Sequence, residues 1–217
     1  MVTVFEDFLA AADAAADLIG SDEAAARWSN PSALPGFTIG GLAAHLGSQV
    51  QSARRALTSP RPGPGAVLTP LLGHYAQATW IGVPLDAPVN KEIRALGEER
   101  AKAGPAEYAQ ATREARKDVA EVLTSEGFEE STVIAMPWIE GRAMTAADML
   151  ITRLMELLVH GDDLAVSLGV MTPAYPATAF ETVTDLLVRV SATRNGALPV
   201  LRALSRSERA PKSIAAF

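Results

Sequence analysis

The chain contains no cysteine. That excludes disulfides, thiolate metal ligands and a cysteine nucleophile. Any thiol chemistry would need a thiol from outside the chain. No segment reaches the roughly 18 uninterrupted apolar residues that a membrane-spanning helix requires. A signal peptide would begin with basic residues and an apolar core. The N-terminus MVTVFEDFLAAADAAADLIG carries Glu6, Asp7, Asp13 and Asp17 instead, and reads as the first amphipathic helix of a cytoplasmic protein. Positive charge is also short: 19 Lys and Arg stand against 25 Asp and Glu, for a net charge of -6. An acidic chain without a basic patch argues against nucleic acid as a partner, and nothing suggests a membrane. There is no glycine-rich phosphate loop after a strand, no GxSxG elbow and no HExxH motif, so the commonest local signatures of nucleotide, serine-hydrolase and zinc-protease chemistry are missing.

What is present is an ordinary globular composition, with 48% hydrophobic and 20% charged residues among 217. Between Pro and Gly punctuation the pattern is helical. The spacing predicts a helix over 2–19, a short one reaching about Trp28, and a structured loop at NPSALPGF. Another helix opens at Thr38, a good N-cap, with Ile39, Leu42, Ala43, Leu46 and Val50 at buried-face spacing. Residues 68–81 read as helical, and so do 90–125 with a break at Gly104-Pro105. The stretch around 131–143 reads as a loop or small hairpin. Thr145 opens a long helix that Gly169 ends, and a last helix covers about 176–194. The expected fold is an all-α bundle over residues 1–195. Residues 196–217 are left as a C-terminal extension, partly flexible. An exposed bundle face leaves pairing into a homodimer open.

The helix at 145–169 is apolar almost all round, the mark of a central helix. Glu156 and His160 interrupt it four residues apart, on one face, with Arg153 and Asp163 on or beside that face. A buried carboxylate must be compensated. Either a metal does this, or an ion pair with Arg153 does, or the face is solvated. His45 lies on a polar strip with Ser48, Gln49 and Ser52. That strip is either wet surface or the lining of a cavity between helices. His74 has no ligand-like neighbour at helical spacing and reads as structural or surface. Two histidines and a carboxylate would leave a fourth position open on zinc, and nickel or iron could use the same set with waters.

Two segments carry a family resemblance. Residues 28–46, from Trp28 through Pro31-Ser32-Ala33-Leu34-Pro35-Gly36-Phe37-Thr38 to His45 and Leu46, resemble the signature of the mycothiol-dependent maleylpyruvate isomerase N-terminal family. Arg153, Glu156, His160, Gly161, Asp163 and Leu164 fall on that family's Arg-x-x-Glu-x-x-x-His-Gly-x-Asp-Leu segment, and Pro137-Trp138 resembles the Pro-Trp ahead of it. The resemblance spans roughly residues 1–195. It implies a DinB-like four-helix bundle with short extra helices, and metal ligands at His45, Glu156 and His160. It also implies zinc as the usual ion (Ni2+ or Fe2+ as alternatives) and mycothiol, an actinobacterial thiol, as cofactor. Gln49, Arg153 and Asp163 would orient the ligands or bind substrate. The implied activity is isomerisation or S-transfer on a small electrophile. A non-catalytic bundle that binds a small ligand or protein partner is the alternative. The characterised isomerases carry a further C-terminal domain, for which the residues after 195 leave no room. Asp162 stands where relatives often have an aromatic residue.

Overall fold

Threonines start three of the long helices, each by the same device. The hydroxyls of Thr3, Thr38 and Thr145 accept hydrogen bonds from the backbone N–H groups of Glu6, Gly41 and Asp148, at 3.3, 2.9 and 3.1 Å. Each satisfies a donor that the first helical turn leaves unpaired. Two further helices begin on a proline, Pro88 and Pro105, whose missing N–H costs nothing at that position.

The computed structural model describes residues 3–217. Val2, where the sequence-based first helix begins, lies outside them. The elements are α1 (Val4–Ile19), α2 (Asp22–Arg27), α3 (Ile39–Leu57), β1 (Val67–Leu68), α4 (Leu71–Ala76), α5 (Pro88–Ala101), α6 (Pro105–Leu123), β2 (Val133–Ala135), β3 (Arg142–Thr145), α7 (Ala146–Leu168), α8 (Ala177–Asn195) and α9 (Ala197–Ser205), followed by a 3-10 turn at Ser207–Arg209. Helices α1, α3, α6 and α7 form the four-helix bundle. Both α1 and α3 pack against α6 and α7, while α5 lies along α3 and α8 joins α7 and α1. The expected all-α bundle is what forms.

The core is drawn from the faces that periodicity marks. Phe8, Leu42, Leu46, Met149, Leu150, Leu154 and Leu157 are fully buried. Ala11, Ala12, Ala15 and Ala16 bury the inner face of α1, and such small side chains let its neighbours approach closely. Helix α7 buries most of its circumference because α1, α3, α4, α8 and β3 all pack on it. Gly169 ends it in the left-handed conformation, φ 67°, which frees its N–H for the carbonyls of Ala165 and Val166.

The sequence reading differs from the structure in three places. The helix expected over 68–81 shrinks to α4. Thr69 is taken by strand pairing, its N–H bonding the Ala143 carbonyl at 2.8 Å, and Pro70 can only precede the helix. The hairpin near 131–143 does form, as β2 and β3, with Ile134 opposite Met144. A third strand, β1, adds to it in parallel, with Val67 opposite Arg142. Finally, 196–217 contains α9, and the terminal segment runs back along α8. Ser191 Oγ and Asn195 Nδ2 donate to the carbonyls of Ile214 and Ala215, at 2.6 and 3.1 Å. Among the described residues no helix is long and apolar enough to cross a membrane.

One glycine on α7 is fixed by packing rather than by the helix. A Cβ on Gly161 would stand 2.0 Å from the hydroxyl of Tyr175, itself buried and bonded to the Leu157 carbonyl at 3.4 Å. Gly161→Ala should therefore destabilise the chain by about 1–3 kcal/mol, the usual scale of overpacking. A urea melt reads this directly. A change below a few tenths of a kcal/mol would mean that Tyr175 moves aside freely.

Candidate metal centre

Because α3 packs on α7, the polar strip of one meets the polar interruption of the other. His45 Nε2 lies 3.8 Å from Glu156 Oε2, and His160 Nε2 lies 3.1 Å from the same oxygen. The two imidazoles meet edge to face, centroids 4.8 Å apart. One donor atom from each residue falls within 4.8 Å of the other two. Ligands about 2.0–2.1 Å from a tetrahedral zinc stand roughly 3.3 Å from one another. The two separations that involve Glu156 already lie within about half an ångström of that spacing, and the two histidines have to close from at most 4.8 Å. All three side chains are partly buried, at 13–17% exposure, on the wall of a cavity of about 560 Å3. Phe37, Trp80, Ile93 and Phe217 supply its apolar lining.

The surrounding residues set the ring orientations. His160 Nδ1 pairs with Asp163 Oδ2 at 2.9 Å, which turns Nε2 toward Glu156. Gln49, buried at 4%, donates from Nε2 to the His45 carbonyl at 3.1 Å. Its Oε1 accepts from Arg153 Nη1 at 2.7 Å. Arg153 also donates to Thr152 Oγ1 at 3.1 Å and lies over the Trp138 ring, 5.9 Å from its centroid. The ion pair between Arg153 and Glu156 that the sequence left open does not form: among the described residues Arg153 has no carboxylate within 4.0 Å.

The electrostatics divide the two histidines. Burial pushes the His45 ring down, and the His160 and Arg153 charges add to this against the hydrogen bond to Glu156 and its charge, so His45 is neutral. Burial would also lower His160. Its bonds to Asp163 and Glu156 outweigh that and raise it to about 9. Burial would raise Glu156, but bonds from His160 and His45 and the charges of His160 and Arg153 hold it well below the usual carboxylate range. Without a metal, then, one proton shared mainly by His160 neutralises Glu156.

The helix that carries His45 is anchored by contacts no local pattern announces. Glu98 on α5 accepts from the Thr38 N–H and hydroxyl, at 2.8 and 2.9 Å, placing a carboxylate at the N-terminus of α3. A Cβ on Gly41 would stand 2.1 Å from Glu98 Oε1, so a side chain there would push this carboxylate off Thr38. Trp28 Nε1 donates to the Ala101 carbonyl at 2.9 Å and ties the preceding segment to the end of α5. Phe37 reaches the site itself, its ring 5.7 Å from that of His45.

Several site residues escape sequence reasoning. Trp80 and Phe217 pack together at 5.0 Å between centroids and line the cavity from segments far apart in the sequence. The Tyr75 hydroxyl is buried with no hydrogen-bond partner among the described residues. Burial, and then the Glu156 charge, push that phenol up, so it stays a neutral donor. His74, read as structural or surface, is partly buried beside a second cavity that Arg153 also lines. Burial and the Arg153 charge lower it to about 4. None of these has a neighbour at helical spacing that would have singled it out.

No curated protein and no solved structure matches the chain. A family model, described as the mycothiol maleylpyruvate isomerase N-terminal domain, matches residues 8–165. That span takes in every residue of the triad and its supports at Gln49, Arg153 and Asp163. The match covers most of the chain, and on it the protein belongs to the mycothiol maleylpyruvate isomerase N-terminal domain family.

Proposed function

We propose that the chain is a metal-dependent enzyme that uses mycothiol as cofactor or co-substrate, for isomerisation or S-transfer on a small electrophile. The observation that carries this reading is the convergence of His45, Glu156 and His160 on one wall of a cavity large enough for a small molecule. The donor set suits zinc best, with nickel or iron as alternatives. A bound zinc would act as a Lewis acid that lets a thiol ionise near neutral pH.

The chain's own residues do the rest. Glu156 contributes one negative charge and the two imidazoles none, so a zinc site would keep a net charge of +1 and favour an anionic partner. Asp163 holds His160 in the tautomer that leaves Nε2 free for the ion. Gln49 fixes Arg153, which borders the cavity and can steer a substrate's negative charge. Phe37, Trp80 and Phe217 form the apolar wall that limits water near the reacting atoms. The absence of cysteine accords with a thiol supplied from outside. Mycothiol as that thiol places the protein in the cytoplasm of an actinobacterium, as part of the same proposal.

The test is elemental analysis of tag-free protein, then a thiol-consumption assay with mycothiol and an activated aryl chloride. The expected result is about one metal per chain, lost in His45→Ala, with turnover that stops on chelation and returns on zinc addition. Protein that takes up no metal even from excess zinc or nickel would leave a bundle that binds a ligand without catalysis.

A further inference from the structure

Arg153 and Trp80 line not only the metal cavity but a second one of about 610 Å3 beside it. This chamber lies between α3, α4, the β2–β3 hairpin and α7. Three guanidinium groups border it: Arg55 from α3, Arg142 from β3 and Arg153 from α7. No Asp or Glu does, in a chain with six more acidic than basic residues. Among the described residues none of the three arginines has a carboxylate within 4.0 Å. Their hydrogen bonds go to neutral acceptors: Arg142 to Thr69 Oγ1 at 3.3 Å, Arg55 to the Pro137 carbonyl at 3.5 Å, and Arg153 to Gln49 and Thr152. Each guanidinium has five N–H donors, so most remain free. Three like charges around one hollow repel one another until an anion joins them. The other lining residues are uncharged at neutral pH: the Trp80 and Trp138 indoles with Met136 and Ile139 form an apolar part, and His74, which burial keeps neutral, stands among small polar side chains.

We propose that this chamber binds a planar organic anion. Its charged head would be held by Arg55 and Arg142, and its unsaturated body would lie against the indoles. Arg153, common to both cavities, would direct the far end of that molecule toward His45, Glu156 and His160. A carboxylate and a phosphate monoester present the same charged oxygens to a guanidinium fork, and either would satisfy the head position. Only the last step, delivery to the metal cavity, rests on the function proposed above. Binding in the chamber does not.

The experiment is calorimetric titration of zinc-free protein with cinnamate, phenyl phosphate and cinnamamide. At least one of the two anions should bind, and cinnamamide, of the same shape but uncharged, at least tenfold more weakly. The stronger anion names the head group. Arg55→Gln and Arg142→Gln should each weaken that anion by about tenfold, the loss of one charge-assisted contact. Arg142→Lys should recover only part of it, because the charge returns without the fork. Arg55 is exposed, so its substitution leaves the core intact even if changes at Arg142 disturb the small sheet. Equal binding of the anion and the amide, no binding of either anion, or affinity unchanged in Arg55→Gln would overturn the proposal. Because no metal is present, these outcomes are independent of whether the zinc reading stands.

Discussion

Replacing His160 with alanine should lower zinc affinity by about 100- to 1000-fold. Structural zinc sites of four protein ligands bind with roughly 10–16 kcal/mol, so each ligand carries about 2.5–4 kcal/mol, and 1.4 kcal/mol is a factor of ten. The remaining pair, His45 and Glu156, stands 3.8 Å apart and would still hold an ion weakly. Asp163→Ala should cost less, about 10- to 100-fold, the usual effect of removing a residue that orients a ligand histidine. The two variants thus form a graded series, read by competition against a zinc-sensing dye. Equal effects would mean that Asp163 binds the ion itself, and no effect in either would remove His160 from the metal site. The metal-free His160→Ala protein supplies a control. Glu156 loses its closest partner, and its carboxyl rises toward protonation as burial takes over.

The two arms of this site were unequally legible in the sequence. Glu156 and His160 share a face because helical geometry puts residues four apart together, and Asp163, three beyond His160, follows by the same rule. Placing His45 beside them required the packing of α3 on α7, which apolar periodicity suggests but does not register. The family resemblance supplied that register. What stayed hidden depends on contacts between distant segments without a periodic signal. Trp80 falls in the stretch 68–81 that reads as helical but lies beyond the end of α4, and Phe217 belongs to a tail whose composition reads as polar and frayed. Glu98 lies 60 residues from the Thr38 it caps. The strand β1 is two residues long, too short for alternation to show, and exists because Gly141 and Ala143 offer carbonyls to Val67 and Thr69. For the same reason His74 reads as isolated until α4 is laid beside the hairpin and α7. The two cavities are products of these unreadable contacts: Arg153, Glu156 and His160 stand out on their helix, but nothing in the sequence marks Arg55 and Arg142 as partners in one chamber.

The stabilisation given by zinc should grow as pH rises from 6.5 to 9. The sign follows from His160. In the metal-free chain its pKa is raised to about 9 from an ordinary 6.5. A raised histidine contributes stability that is complete below the unfolded value and is lost as pH climbs through the folded one. The metal-free protein therefore gives up a few kcal/mol between pH 6.5 and 9, as the proton that neutralises Glu156 departs. Glu156, held low, adds stability present above its unfolded value and lost only in acid, so it does not change across this window. His45, already neutral, contributes no proton to the exchange. Zinc takes the place of the His160 proton, so below pH 9 each unit of acid should weaken zinc by about tenfold. The zinc-bound protein keeps its compensating charge throughout. Thermal melts with and without zinc at fixed free concentration should then diverge with pH, by several degrees more at pH 8.5 than at 6.5. His160→Ala, which has no imidazolium at this position to displace, should show only a small gap. A wild-type gap that stays constant over the same range would mean that no proton leaves His160 when metal binds, and that the imidazolium–carboxylate pair is the resting purpose of the site.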